Sequence, residues 1–205
     1  MLKKIKYKKI EDYYNDYFVE LNKSFDKNAR ENLKKITNFL KKNYKKKNNI
    51  FVCGNGGSAA IANHFECDHK KILSDTKKIN PRIISLCSNN SLITAISNDF
   101  SYNLVFKKQL EYLGNKNDIL ITISSSGNSE NIIQVIKYAK KKSIKVVSFT
   151  GFDGGRSKKM GNVNLHVNSN NYGIIENLHH AYMNIISQFI KIELLSNKEL
   201  KKYKF

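Results

Sequence analysis

Two short segments of this 205-residue chain carry side chains and backbone groups suited to holding an anion. Gly54-Asn55-Gly56-Gly57-Ser58 follows the apolar run Ile50–Cys53, and Ser124-Ser125-Ser126-Gly127-Asn128-Ser129 follows Ile119–Ile123. Each leads into a helix-like pattern. A strand that turns through small residues into a helix N-terminus offers free N–H groups, the positive end of the helix dipole and hydroxyl donors. Ser124, Ser125, Ser126 and Ser129 can satisfy several phosphate oxygens without a metal. One serine suffices to cap a helix, and four of the six residues in that turn are serine. The chain lacks Gly-x-Gly-x-x-Gly, and no lysine follows the glycines at P-loop spacing, which weakens both nucleotide-cofactor readings. The two turns together point to a phosphorylated ligand.

Titratable residues stand close to these turns. His64 and Asp68, four apart in the helix-like segment after Ser58, share one helix face. That spacing suits two ligands of one divalent metal, an acid/base pair, or a plain exposed ion pair. Glu176 and His180 repeat it near the C-terminus. If the two faces meet at one sheet edge, they supply two imidazoles and two carboxylates, a donor set that zinc accepts. Asn98-Asp99 suits hydrogen bonding to a polyol, or a helix-ending turn. Gly151-Phe152-Asp153-Gly154-Gly155-Arg156 contains two adjacent glycines that permit a sharp turn, so a loop-forming role is expected there, with Arg156 available to an anion.

The elements that must position these groups follow from periodicity. From Lys8 to Lys46 no strand-like run occurs. Tyr13, Tyr14, Tyr17, Phe18, Leu21 and Phe25 fall near helical spacing, and Leu33, Ile36, Phe39 and Leu40 form a second pattern with Asp26 or Asn28 as cap. Residues 1–48 are thus expected to be a helical pair of the same domain. From Asn49 onward strands and helices alternate. Strands are expected at Ile50–Cys53, Arg82–Leu86, Asp118–Ile123, Ile144–Phe149 and Val163–Val167. Helices are expected from Ser58, from Ser91, around Phe106–Leu113, from Ser129 to Lys142 and from about Ile174 to Leu195. This alternation predicts an α/β fold with a parallel sheet flanked by helices, ligands lying beyond the strand C-termini, and residues 49–200 forming the binding part. The apolar face of the N-terminal helices and the long last helix exceed what one sheet face needs. A homo-oligomer is expected.

Composition bounds the remaining classes. Hydrophobic residues at 40% and aromatics at 11% support a globular core. No apolar run approaches the ~20 residues of a membrane helix, and Met1–Lys6 lacks the apolar stretch of a signal peptide. Cys53, Cys67 and Cys87 form no Cys-x-x-Cys pair and read as thiols of a reducing compartment, so a cytoplasmic location is expected. The formal net charge is +19, yet its lysines are scattered and no helix-turn-helix or RNA-binding motif accompanies them. A solvated lysine surface explains the charge better than a nucleic-acid site, and it favours anionic substrates.

In order along the chain, Gly54–Ala60, His64, Ser97-Asn98-Asp99, Ile123–Ser129 and Thr150–Arg156 resemble the sugar isomerase (SIS) family, and within it the phosphoheptose isomerases. The resemblance runs from about residue 10 to residue 195. It implies a three-layer fold with a five-stranded parallel sheet, a cytoplasmic homotetramer, and active sites between subunits. It further implies aldose–ketose isomerisation of sedoheptulose 7-phosphate to a heptose 7-phosphate for surface polysaccharide. The serine turn matches the family's phosphate holder; Asn55-Gly56-Gly57, Ser58, Asn98-Asp99 and Glu176 match substrate contacts. His64 matches a zinc ligand, with Asp68 and Glu176 at further ligand positions. Three positions depart from the family pattern: Asp68 for a glutamate that binds metal and moves protons, Glu176 for a glutamine, and Asn184 for a histidine. Asn184 has no accessible pKa for proton transfer, so His180, one turn earlier, is the expected substitute, with His179 matching a different family position. On this basis Asp68 is the expected base and His180 its proton-transfer partner. The alternative is a non-catalytic SIS protein that senses a phosphosugar or docks on a protein such as the replication initiator.

Overall fold

The computed structural model describes Leu2 and residues 6–203. The expectation of no signal peptide falls largely on positions 1 and 3–5, which lie outside the described residues. Helices α1 (Ile10–Lys23) and α2 (Ala29–Lys46) precede the alternating part. There follow β1 (Asn49–Gly54), α3 (Gly57–Ser74), β2 (Arg82–Ser85), α4 (Asn90–Asp99), a 3-10 turn (Tyr102–Leu104), α5 (Val105–Leu113) and β3 (Ile119–Ser124). The chain continues through α6 (Glu130–Lys141), β4 (Lys145–Thr150), α7 (Gly155–Met160), β5 (Val163–His166), α8 (Tyr172–Leu194) and α9 (Asn197–Leu200). The expected strands and long helices are present, with ends displaced by at most two residues. Helices α7 and α9 were not foreseen. They are too short to show periodicity, and α9 is stabilised locally by a capping box between Ser196 and Glu199.

Among the described residues five strands form one all-parallel sheet in the order β2-β1-β3-β4-β5. Helices cover both faces, which is why β3 is buried along its whole length and reads as a continuous apolar run. The chain leaves β1 through α3 towards β2 on one side and leaves β3 through α6 towards β4 on the other. The strand order therefore reverses between β1 and β3. Gly54 at the end of β1 is in register with Ile123 near the end of β3, so the glycine turn and the serine turn emerge side by side. Ligands of open parallel sheets bind at such a switch point.

The core is built on β1 and β3, with α8 as its longest helical wall. Ile174, Ile175, Leu178, Tyr182, Met183, Ile186 and Ile190 of α8 are buried. Each such side chain contributes roughly 1.5–3 kcal/mol through apolar burial, and truncating Met183 to Ala removes about 2–5 kcal/mol. Helix α2 adds Ile36, Leu40 and Tyr44 to this core, whereas no residue of α1 is buried. The N-terminal pair is tied to the rest by the Phe25–Val167 bridge, by Asn168 N–H donating to the Ser24 carbonyl at 2.9 Å, and by Asn177 donating to Tyr17 Oη at 2.9 Å. Among the described residues no helix is long and apolar enough to cross a membrane.

Candidate active site

The two turns line a single cleft of about 320 Å³, closed on one side by Tyr172 and Glu176 from the start of α8. Asn55, Gly56, Gly57 and Ser58 form one wall; Ser124, Ser125, Ser126 and Ser129 form the other. The serines divide by role. Ser124 Oγ accepts from Gly127 N–H at 3.2 Å, and Ser126 Oγ accepts from Asn128 N–H at 3.3 Å, so these two shape the turn. Ser129 is the N-cap residue of α6, yet its side chain makes no capping bond. Ser125 Oγ is buried without a hydrogen-bond partner in the chain. A buried hydroxyl left unpaired is destabilising unless something occupies it, and the cleft it lines is open to an oxygen-rich ligand.

The serine turn is held from behind by the segment after β4. Gly151 N–H donates to the Ser125 carbonyl at 2.8 Å, and both Ser157 N–H and Ser157 Oγ donate to the Gly127 carbonyl at 2.9 Å. Gly127 has φ of +64°, and a Cβ there would collide with the Gly154 carbonyl. Only glycine fits that close approach. The loop-forming role expected of Gly151–Arg156 is therefore a specific one: it braces the serine turn.

The glycine turn is organised differently. An ideal Cβ on Gly57 would stand 2.5 Å from Glu176 Oε2 and 2.6 Å from Oε1, so the Glu176 carboxylate lies directly against the first residue of α3. A carboxylate is favoured at a helix N-terminus. Of the two helix starts that meet in the cleft, that of α3 lies against the Glu176 carboxylate, whereas the Glu130 carboxylate at the start of α6 is bonded to Arg156 and Gln134 and stays out of the cleft lining, to which Ser125 and Ser129 belong. Asn55 is fixed by Asn131, its Nδ2 donating to Asn131 Oδ1 at 3.0 Å, while Asn131 Nδ2 donates back to Asn55 Oδ1 at 2.9 Å. Tyr102 Oη also donates to Asn55 Oδ1, at 2.9 Å.

Packing of α3 on α8 brings His180 against the His64–Asp68 pair, while Glu176 stays at the start of α3 beside Gly57. His64 Nε2 lies 3.1 Å from Asp68 Oδ1. The His64 and His180 rings meet edge to face, 4.5 Å between centroids. Burial holds the His180 imidazole below its usual pKa, the neighbouring His64 pushes the same way, and Asp68 opposes them. His180 Nε2 is buried and unpartnered. These three residues do not line the cleft: Asp68 lies eleven residues beyond Gly57 on α3, roughly 16 Å at helical rise.

Zinc was expected on His64, Asp68 and Glu176. Among the described residues no three His, Cys, Asp or Glu side chains are gathered as a metal-holding group. His64 and Asp68 bond to each other, and Glu176 sits at the other end of α3. The donor types suit zinc; their placement within one chain does not. Asn98 and Asp99, expected as substrate contacts, are exposed on the last turn of α4, bonded to each other at 3.0 Å and outside the cleft lining. His179 is a core residue, its Nε2–H donating to the Thr150 carbonyl at 3.2 Å.

Three residues of the site escaped the sequence reading: Tyr102, Tyr172 and Asn131. A signal existed for Asn131, which stands four before Val135 and eight before Ala139 on the core stripe of α6. A polar residue at a position that periodicity assigns to the core is an informative exception.

Residues 13–151 match the SIS domain family model. The chain belongs to the SIS domain family. Within it, the chain is similar to phosphoheptose isomerases. It is 39% identical to that of Aliarcobacter butzleri over 165 residues, covering 80% of this chain and 87% of the relative. It is 35% identical to that of Buchnera aphidicola over 199 residues, covering 96% and 98%. The solved phosphoheptose isomerase of Neisseria gonorrhoeae superposes with a TM-score of 0.80 at 28% identity, over 88% of this chain and 96% of that one.

Proposed function

We propose that this chain is a phosphosugar aldose–ketose isomerase that converts sedoheptulose 7-phosphate to D-glycero-D-manno-heptose 7-phosphate for surface polysaccharide. The observation that carries this reading is the cleft itself. It sets an open helix start and the unpartnered Ser125 hydroxyl at one end, and the Glu176 carboxylate with the Asn55 amide at the other. Such a site takes a phosphate and a polyol in a fixed order.

The reaction moves one proton between neighbouring carbons. A base removes a C1 proton from the ketose, the electron pair forms C1=C2, and the C2 oxygen takes the charge or a proton. Returning a proton to C2 while O1 gives up its proton to form C1=O, with the C2 oxygen left as a hydroxyl, gives the aldose. We assign removal to Asp68 and the second transfer to His180, held beside it through His64. Because this group lies outside the cleft of its own chain, it completes the cleft of a neighbouring subunit in a homotetramer. Ile10, Tyr14, Phe18 and Val19 of α1 and Ile185, Phe189 and Ile192 of α8, all exposed apolar side chains, support assembly through the N-terminal pair (residues 1–48) and the last helix. The free thiols of Cys53, Cys67 and Cys87 support a cytoplasmic location. No step is assigned to zinc.

The test mixes the purified protein with sedoheptulose 7-phosphate and follows the aldose product by NMR, with and without added zinc. Appearance of the aldose is expected. Binding of the sugar phosphate without turnover would favour the second reading, a phosphosugar-sensing SIS protein, for which Asn184 in place of a proton-transferring histidine is the supporting observation.

A further inference from the structure

One ion pair beside the serine turn has no part in the reaction described. Glu130, itself outside the cleft lining, is the first residue of α6 and follows Ser129 of the cleft wall, and so adds a carboxylate to the helix start that the proposed phosphate approaches. Arg156 answers it. One guanidinium nitrogen donates to Glu130 Oε2 at 2.9 Å and to the Asn128 carbonyl at 2.8 Å, while the Arg156 N–H donates to Asn128 Oδ1 at 3.1 Å. Gln134 donates to the other Glu130 oxygen at 2.7 Å. Arg156 is absent from the cleft lining. Both members of the pair are partly exposed, where ion pairs add little to stability, so stability does not explain the arrangement.

We propose that Arg156 is a positioning residue of the phosphate subsite, cancelling the Glu130 charge at the start of α6 and holding Asn128 outward, so that the helix start stays attractive to phosphate. This rests on the serine turn being the phosphate site. Without Arg156, the unneutralised Glu130 carboxylate repels the incoming dianion through solvent-screened space, an effect of about tenfold in affinity. Substituting Glu130 removes the repulsion at its source. A purely structural role for Arg156, through Asn128 alone, predicts no such rescue.

The experiment measures KM and kcat for sedoheptulose 7-phosphate, and inhibition by inorganic phosphate, in wild type, Arg156→Ala, Arg156→Ala with Glu130→Gln, and Ser125→Ala. Arg156→Ala is expected to raise KM and the phosphate inhibition constant about tenfold with kcat within twofold, the loss shrinking at high salt. The double variant is expected to recover most of it. The proposal is overturned if Arg156→Ala leaves KM unchanged while Ser125→Ala raises it, or if Glu130→Gln fails to rescue. If Ser125→Ala also leaves KM unchanged, the phosphate placement itself falls and this inference falls with it. Thermal melting of each variant identifies any that fail to fold, and Glu130→Gln alone, which keeps Arg156, then carries the test: lower KM supports the proposal and higher KM overturns it.

Discussion

Asn55 and Asn131 exchange two amide hydrogen bonds, 3.0 and 2.9 Å long, across the boundary between β1 and β3. One residue belongs to the glycine turn and the other to the start of the helix that the serine turn opens. Their pairing couples the two walls of the cleft, so the distance between the glycine turn and the serine turn does not depend on loop geometry alone. A buried amide pair is stabilising when every member is satisfied and unfavourable when one is lost. With Tyr102 added, both polar atoms of the Asn55 amide are engaged.

Replacing Asn131 by Ala is therefore expected to lower stability by about 1–3 kcal/mol and to raise KM, because Asn55 loses its tether. Denaturant unfolding with parallel steady-state kinetics reads both effects. Unchanged KM with lowered stability would show that the pair holds the fold and not the cleft.

Gly57→Ala places a methyl group against the Glu176 carboxylate. The account predicts a loss in kcat/KM of at least about tenfold from a displacement of one ångström or so. Combining it with Glu176→Ala relieves the clash, so the double variant should melt higher than Gly57→Ala while remaining poorly active. A fully active Gly57→Ala enzyme contradicts the placement of Glu176.

Removing the assigned proton-transfer groups tests the chemistry. Asp68→Asn and His180→Gln are each expected to lower kcat by about 10²–10⁴-fold with the fold intact by circular dichroism. If Asp68→Asn turns over sedoheptulose 7-phosphate at the wild-type rate, the assignment of Asp68 is wrong.

Two buried histidines set an acid limit on stability. Burial pushes His69 down to about 3 and His179 down to about 4, against about 6.5 in an unfolded chain. The unfolded chain then binds two more protons than the folded one between those limits. Stability must fall as pH drops from about 6.5 towards 4, with a slope approaching about 1.4 kcal/mol per pH unit for each histidine. His179→Gln is expected to remove about half of that slope in urea unfolding measured at pH 6.5, 5.5 and 4.5.

Much of this was legible in the sequence, and the reasons differ by element. Strands β1 and β3 announce themselves because helices cover both faces and leave no polar alternation. The turns after them announce themselves because small residues and hydroxyls are costly to explain any other way. The sorting of the turns was not legible, since it depends on where α8 begins: only its packing on α3 sets Glu176 against Gly57. The same holds for Asp68. Its spacing from His64 shows a shared helix face, but helical rise alone carries it away from the cleft, a distance that no local pattern encodes. Asn98-Asp99 matched a substrate contact by order along the chain, yet α4 leaves both on the surface. Tyr102 and Tyr172 gave no signal because an aromatic near a helix start is ordinary.

The central claim is that the serine turn anchors the phosphate of an isomerised sugar. The most direct measurement compares sedoheptulose 7-phosphate with unphosphorylated sedoheptulose on the same enzyme, following aldose formation by NMR. The account predicts turnover of the phosphorylated sugar, with kcat/KM for the unphosphorylated one lower by at least about 10³-fold, as expected when binding energy at a remote group is used in the transition state. Equal turnover of the two sugars, or of neither, would contradict it.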